Sequence, residues 1–408
     1  MVILEILLKY ISNCRLSHKV CYFMYKDKMV IAHFVGLNGI GGVQSNFVEY
    51  MKSVKLEHST CRHKVYTMGD MDEHYQLDVN VLNIRKISNL YKLVLDIVSK
   101  KVVVHFYNNL SSLKVALFLA VLPVKKLIVH ERGTIWNQKS SSWIVPRFVA
   151  WKASIVLSNS FATQAMLIQK FSINRNKIRV IHNGINTTLS KSYGSKYKKD
   201  NSIFNIGFIG RLDSPKGVHV LINAMQYLAN ERVELVIAGE GVLLDILKKS
   251  ASFSNNIRFI GRVQNPYEFM KKLDLLVVPS IREPLGNVCL EAGLCKTPVL
   301  AANIDGIPEI IENNITGVLI EANDDILIKF PEDSIPLPEF VVDPVSLKLR
   351  EPKQINAFLL AQKIIDLSKH PALLSTYANK LNEKVIKHFS IDRYKSELYD
   401  IYREIYFS

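Results

Sequence analysis

The segment VVPSIREPLGNVCLEAGLCKTPVLAANIDGIPEIIENNITGVLIE, residues 277–321, decides how this chain is read. An apolar β-branched run ends at Pro279-Ser280. A turn then carries Glu283-Pro284-Leu285-Gly286, and a helical pattern starts near Asn287 with Glu291 one turn inside it. Strand, glycine-bearing turn and helix in that order make an anion cradle. Gly286 lets the backbone approach a ligand closely, and the first amides of a helix point free N–H groups at negative charge. Glu283 and Glu291 lie eight residues apart, one in the loop and one on the first helical turns, both on the cleft side. Carboxylates accept paired hydrogen bonds from vicinal hydroxyls, so one can hold a sugar and the other a ribose.

Outward from this segment the chain is α/β. From Met29, VIAHFV, VQSNFVEYMKSV, KVYTM, LYKLVLDIVSK, VVVHFY, SLKVALFLAV and KLIVH alternate strand-like and helix-like patterns. The rhythm restarts after SKSYGSKYKKDNS (190–202), and the two halves open alike, FVGLNGIGGVQ at 34–44 and FIGRLDSPKGVH at 208–219. This predicts two Rossmann-like domains facing each other across a cleft, with ligand at the carboxyl ends of the strands. The expected division is an extension at 1–28, an acceptor-binding domain at 29–198, a nucleotide-sugar-binding domain at 199–389 and a closing helix at 390–408.

Composition narrows the class. The 408 residues are 48% hydrophobic and 22% charged, which excludes a disordered or collagenous chain. Five cysteines without a CxxC pair suggest neither a disulfide framework nor a zinc site, and fit a reducing cytosol. The net charge of +15 is uneven: residues 1–200 carry 29 Lys/Arg against 11 Asp/Glu, and 201–408 carry 23 against 26. Something anionic is expected at the first half: nucleic acid, an anionic membrane surface or a phosphorylated glycan. No apolar run is long enough to span a bilayer. Residues 1–28 lack the features of a secretory signal; their reading stays open between an interfacial amphipathic helix at 3–11 and a non-functional leader.

With these motifs in order over 29–321, the sequence resembles the group 1 (family 4) retaining glycosyltransferases of the GT-B fold. Their hallmark Glu-x7-Glu is present as Glu283 to Glu291. The resemblance extends to GFIGRLDSPKGVHVLINAM (207–225), LVIAGEG (235–241), IRFIGRV (257–263), VIHNGIN (180–186), GIGGVQ (39–44), VHERG (129–133) and KHFSIDRYKSELYDIYREIY (387–406). The departures are Lys296, where the family usually has glycine, the 1–28 extension, and about 30 residues at 322–352 holding five prolines, where a short connection is usual.

The resemblance implies that Arg211, Lys216 and the amides of Asn287 and Val288 bind the diphosphate. Preorganised cations there would stabilise charge growing on the leaving group in place of a metal. It implies donor contacts from Gly41, Gly42, Gly210, Gly239, Arg262, Val263, Pro284, Leu285, Gly286 and Glu291. It also implies catalytic roles for Glu283 and for His130, whose side chain should reach the cleft against the donor sugar. Asp70-Met71-Asp72 forms a DxD on the half not expected to bind nucleotide and is read as a loop, so no metal and no cofactor is expected.

The expected activity is retaining, metal-independent transfer of a sugar from a nucleotide-diphosphate donor to an anionic glycan or lipid-linked acceptor. Cell-surface polysaccharide or lipopolysaccharide synthesis is the expected setting, with the enzyme cytoplasmic and peripheral to the inner membrane face. Nucleic acid is not expected as a partner. The alternatives are a nucleotide-sugar epimerase or hydrolase of the same fold, and a basic nucleic-acid or membrane-binding protein with a decayed enzyme domain.

Overall fold

The structure is a computed structural model that describes residues 29–39, 41–55, 61–190 and 203–408. The 1–28 extension, with its possible helix at 3–11, lies outside the described residues. Seven strands, β1 (Met29–Phe34), β2 (Cys61–Thr67), β3 (Val81–Asn83), β4 (Val102–Tyr107), β5 (Leu127–Glu131), β6 (Ile155–Ser158) and β7 (Ile178–Val180), form a parallel sheet in the order β3-β2-β1-β4-β5-β6-β7. Six more, β8 (Phe204–Ile209), β9 (Val233–Ala238), β10 (Ile257–Gly261), β11 (Leu275–Val278), β12 (Val299–Asn303) and β13 (Val318–Glu321), form a second parallel sheet in the order β10-β9-β8-β11-β12-β13. Both sheets reverse their winding beside their first strand. That point is where such a sheet opens a crevice at its carboxyl edge.

Parallel strands covered on both faces need near-continuous apolar runs, and β4, VVVHFY, is buried at every position. The cover on one face of the first sheet comes from the far end of the chain. Ile391, Tyr394, Leu398, Ile401, Tyr402 and Ile405 of the helix Ile391–Phe407 recur at helical spacing and are buried with Ile31, Val103 and Ile128. The two passages between domains run side by side, with the Ile185 amide donating to Phe389 O (2.8 Å) and the Ile391 amide to Ile185 O (2.8 Å).

Two sequence departures acquire explanations. Lys296 has φ 52°, the left-handed conformation that glycine adopts without cost, so the family's usual residue suits this backbone better. The proline-bearing stretch forms β14 (Val341–Val342) paired antiparallel with β15 (Leu349–Arg350), and Val342 is buried in the core of the first domain.

Under the closing helix the first sheet carries four histidines. His33 stacks on His63 (centroids 5.2 Å) and His105 on His130 (5.4 Å); His33 Nε2 bonds His63 Nδ1 at 2.9 Å, and His105 Nδ1 bonds the Tyr402 hydroxyl at 2.8 Å. Burial holds all four below the usual imidazole range, His63 down to about 4. A base whose folded value lies below its unfolded one contributes full stability above about pH 6.5 and loses it as pH falls toward 4. We therefore expect His63→Gln to be less acid-sensitive than the wild type. Urea unfolding at pH 7.5 and pH 5 should show a difference of about 1–2 kcal/mol between the two proteins in what acid costs them. Equal losses would contradict a buried neutral His63.

Candidate active site

The second-domain wall is built from the loops at the carboxyl ends of β8, β9 and β11. The first two lie back to back, so close that a Cβ on Gly239 would stand 1.9 Å from Gly210 O, which only glycine permits. After Arg211, which is exposed and whose guanidinium makes no hydrogen bond or ion pair among the described residues, the chain makes a 3-10 turn over Ser214–Lys216. This turn directs Lys216 Nζ onto Glu283 Oε2 at 2.6 Å, and Ser280 Oγ donates to the same oxygen at 3.3 Å. Glu283 is buried, its amide donating to Asp305 Oδ2 (2.9 Å) and its carbonyl accepting from Gly306 N (3.1 Å). Gly286, at φ 99°, turns the chain into the helix Asn287–Leu294, whose N-terminus no side chain caps. The half-buried Glu291 sits on that helix. Burial, then the carboxylate of Glu49 across the cleft, push it up to about 8, against the pull of Lys216. Leu285 is buried, Pro284 and Val263 are half-buried, and Arg262 is exposed after β10.

The first-domain wall meets this one directly. Gly42 begins the helix Gly42–Lys55, and a Cβ there would lie 2.9 Å from Asn287 Nδ2, so two helix N-termini face each other across the gap. Gly41 precedes it, half-buried. Gly133, at φ 117°, brings its loop against Pro284 so closely that a Cβ would stand 2.6 Å from Pro284 Cγ.

Sequence reasoning missed the polar relay that joins the walls. Arg132 is buried with no carboxylate partner among the described residues; its Nη2 donates to Asn46 Oδ1 and to Asn183 Oδ1 (2.5 Å), and Asn183 Nδ2 donates to Asn287 Oδ1 (2.7 Å). Glu309 was also missed. It accepts from the Phe161 and Ala162 amides (both 3.0 Å) at the start of the first-domain helix Phe161–Phe171, and pairs with His182 Nε2 at 2.6 Å.

His130 departs from expectation. It is fully buried rather than facing the cleft, stacked on His105 with both ring nitrogens unpartnered, because that face of β5 belongs to the layer under the closing helix. Asp70 accepts from Asn83 Nδ2 (2.8 Å) and Asp72 from the His74 amide (3.0 Å), so the DxD serves its own loop. Among the described residues no group of three or more His, Cys, Asp and Glu is arranged to hold a metal ion. Of the basic residues of the first domain, Lys114, Lys125, Lys139 and Arg147 are exposed. Lys126 and Lys152 are half-buried, Lys126 donating to Tyr406 O.

The Gly133 contact makes a clean test. In Gly133→Ala the new methyl meets Pro284 and the backbone is strained by about 1–2 kcal/mol. The loop at 282–288 should then exchange its amides faster while the two sheets keep their protection; unchanged exchange at 282–288 would contradict the contact.

Residues 192–329 match the family described as glycosyl transferases group 1. An uncharacterized glycosyltransferase of Methanocaldococcus jannaschii is 33% identical over 183 residues, 41% of this chain and 46% of that protein. The N-acetylgalactosamine-N,N'-diacetylbacillosaminyl-diphospho-undecaprenol 4-alpha-N-acetylgalactosaminyltransferase of Campylobacter jejuni is 31% identical over 180 residues, 43% of this chain and 48% of that protein. The chain thus spans about half the length of these two relatives. In fold it is similar to Anabaena HepE, solved in complex with UDP and glucose, with TM-score 0.68 and 21% identity over 91% of this chain and 98% of that one. Residues 192–329 are therefore a group 1 glycosyl transferase region, set in a chain of GT-B fold.

Proposed function

We propose that this protein is a retaining, metal-independent glycosyltransferase that moves a sugar from a nucleotide-diphosphate donor to a glycan or lipid-linked acceptor. One observation carries the reading: the Lys216–Glu283 pair at 2.6 Å lies beside an uncapped helix N-terminus that faces the Gly42 helix start across a gap between two Rossmann-like sheets. The free amides of Asn287 and Val288 and the cations Arg211 and Lys216 would receive the diphosphate. As the bond to the sugar breaks, the growing negative charge strengthens those contacts more than in the ground state, which lowers the barrier. Glu283 would hold sugar hydroxyls and Glu291 the ribose. The relatives support the class of chemistry: the Campylobacter protein's name gives an alpha linkage on a lipid diphosphate acceptor, and HepE was solved with UDP.

The acceptor side is read as a membrane-facing surface on the inner leaflet. Leu113 and Leu117 of the helix Leu113–Ala120 and Trp143, Ile144 and Trp151 in and beside the helix Ile144–Lys152 are exposed, Trp151 by 68%, among Lys114, Lys125, Lys139 and Arg147. Exposed tryptophan and leucine, with Arg147 over the Trp143 ring and Lys152 beside Trp151, suit the headgroup region of an anionic bilayer. No helix among the described residues is long and apolar enough to cross a membrane.

Mass spectrometry of products from a panel of nucleotide sugars, incubated with lipid-linked acceptors, tests the class: a glycosylated acceptor of α configuration supports it, and release of free sugar without acceptor points to a hydrolase. Arg211→Ala and Lys216→Ala should each lower kcat/KM by roughly 10²-fold, and EDTA should leave the rate unchanged. A rate that EDTA abolishes and a divalent cation restores would overturn the metal-free mechanism. Binding to anionic vesicles should fall steeply between low and physiological salt, and fall again in Lys114→Gln/Lys139→Gln/Arg147→Gln. Absence of binding at low salt would remove the membrane.

A further inference from the structure

Residues 322–352 leave the second domain, touch the first and return. At β14 the alternation of strand side chains sends neighbouring residues into different domains: Val341 is buried in the core of the second and Val342 in the core of the first, where Phe340 and Leu349 pack beside it. Polar contacts flank this anchor. Gln169 of the first-domain helix Phe161–Phe171 acts as a neighbouring strand would, its Nε2 donating to Leu347 O (2.5 Å) and its Oε1 accepting from the Leu349 amide (3.2 Å). Glu339 accepts from Ser140 N and Oγ, both at 2.7 Å, and pairs with Lys170 at 3.5 Å. At its other end the segment grips the phosphate-side turn: the Ile335 amide donates to Asp213 Oδ1 (2.8 Å) and Ser214 Oγ to Ile335 O.

Between these grips lies Asp305, buried and held at φ 46°. Its amide donates to Val342 O (3.1 Å), its Oδ1 accepts from the Val342 amide (2.7 Å), and its Oδ2 accepts from the Glu283 amide (2.9 Å). One carboxylate thus carries the segment on one oxygen and the Glu283 loop on the other. We propose that residues 335–350 are an interdomain strap that favours the closed cleft, and that Asp305 is a positioning residue through which closure sets the Glu283 loop.

Parting the domains would draw Val342 out of the first core or pull it from Asp305, so the open state loses either the strap or the fixed position of Glu283. Its hold on the first domain is one valine, two partly buried apolar side chains and a few surface hydrogen bonds. A contact of that size biases an equilibrium and does not lock it. The catalytic half of this inference rests on the reading of Glu283 as a sugar-binding carboxylate; the strap itself does not.

The test uses the full chain with Gln169→Ala/Glu339→Gln, two surface changes away from the cleft, and separately Asp305→Asn. Small-angle scattering with and without UDP reads closure. Unliganded Gln169→Ala/Glu339→Gln should have a larger radius of gyration than the wild type and contract further on adding UDP, with the melting temperature little changed. A radius of gyration equal to the wild type's in both states overturns the strap, whatever the activity does. Asp305→Asn should lower kcat roughly tenfold with the UDP affinity kept, because it loosens the loop and not the nucleotide site, while the melting temperature falls as one backbone amide loses its acceptor. A fall in UDP affinity parallel to that in kcat would show Asp305 to be merely structural. Failure to detect glycosyl transfer in the wild type would sink the proposed function and leave the scattering result to decide the strap.

Discussion

The arrangement of the cleft depends on one ion pair, Lys216 Nζ to Glu283 Oε2 at 2.6 Å. Two loops from different strands of the second sheet meet in it, and neither group is freely solvated. Such a pair roughly balances its own desolvation cost, so its value here lies in placement more than in stability. A diphosphate arriving at the N-terminus of Asn287–Leu294 would compete for Lys216 and release Glu283 toward sugar hydroxyls. Without such a ligand each group holds the other in place.

Everything around the pair restrains its two loops. Gly210 and Gly239 let the strand ends lie against each other, Gly286 starts the helix without a side chain in the way, and Asp305 fixes the Glu283 main chain. The first domain closes the site through close contacts, Gly42 against the Asn287 side-chain amide and Gly133, in a left-handed conformation, against the Pro284 ring. The relay Asn46–Arg132–Asn183–Asn287 then ties the interdomain passage to the helix that would hold the phosphate. A buried guanidinium with only amide oxygens for partners among the described residues is costly; here Nη2 makes both bonds, and the relay brings together four separate stretches of chain.

What was legible in the sequence followed local rules. Strand–turn–helix patterning announced both sheets, and it put Lys216 and Glu283 in loops after strands, where the structure pairs them at 2.6 Å. The rest rests on contacts between residues far apart in sequence. Nothing near Asp305 says that one of its oxygens will bond Val342, and nothing near Gln169 says that it will pair with 347–349. The misplacement of His130 has the same origin. Alternation tells that β5 has two faces, but which face the closing helix covers depends on Tyr394 and Tyr402, more than 260 residues downstream. Lys126 is another such case: it lies in the basic first half, yet its Nζ donates to Tyr406 O at the end of that helix.

The most direct test of this account is calorimetric titration of UDP into Glu283→Gln and Glu291→Gln. If Glu291 holds the ribose and Glu283 the sugar, Glu291→Gln should weaken UDP binding clearly, while Glu283→Gln should bind UDP as the wild type does and lose sugar transfer. Equal loss of UDP affinity in both variants would contradict the division of roles on which the account rests.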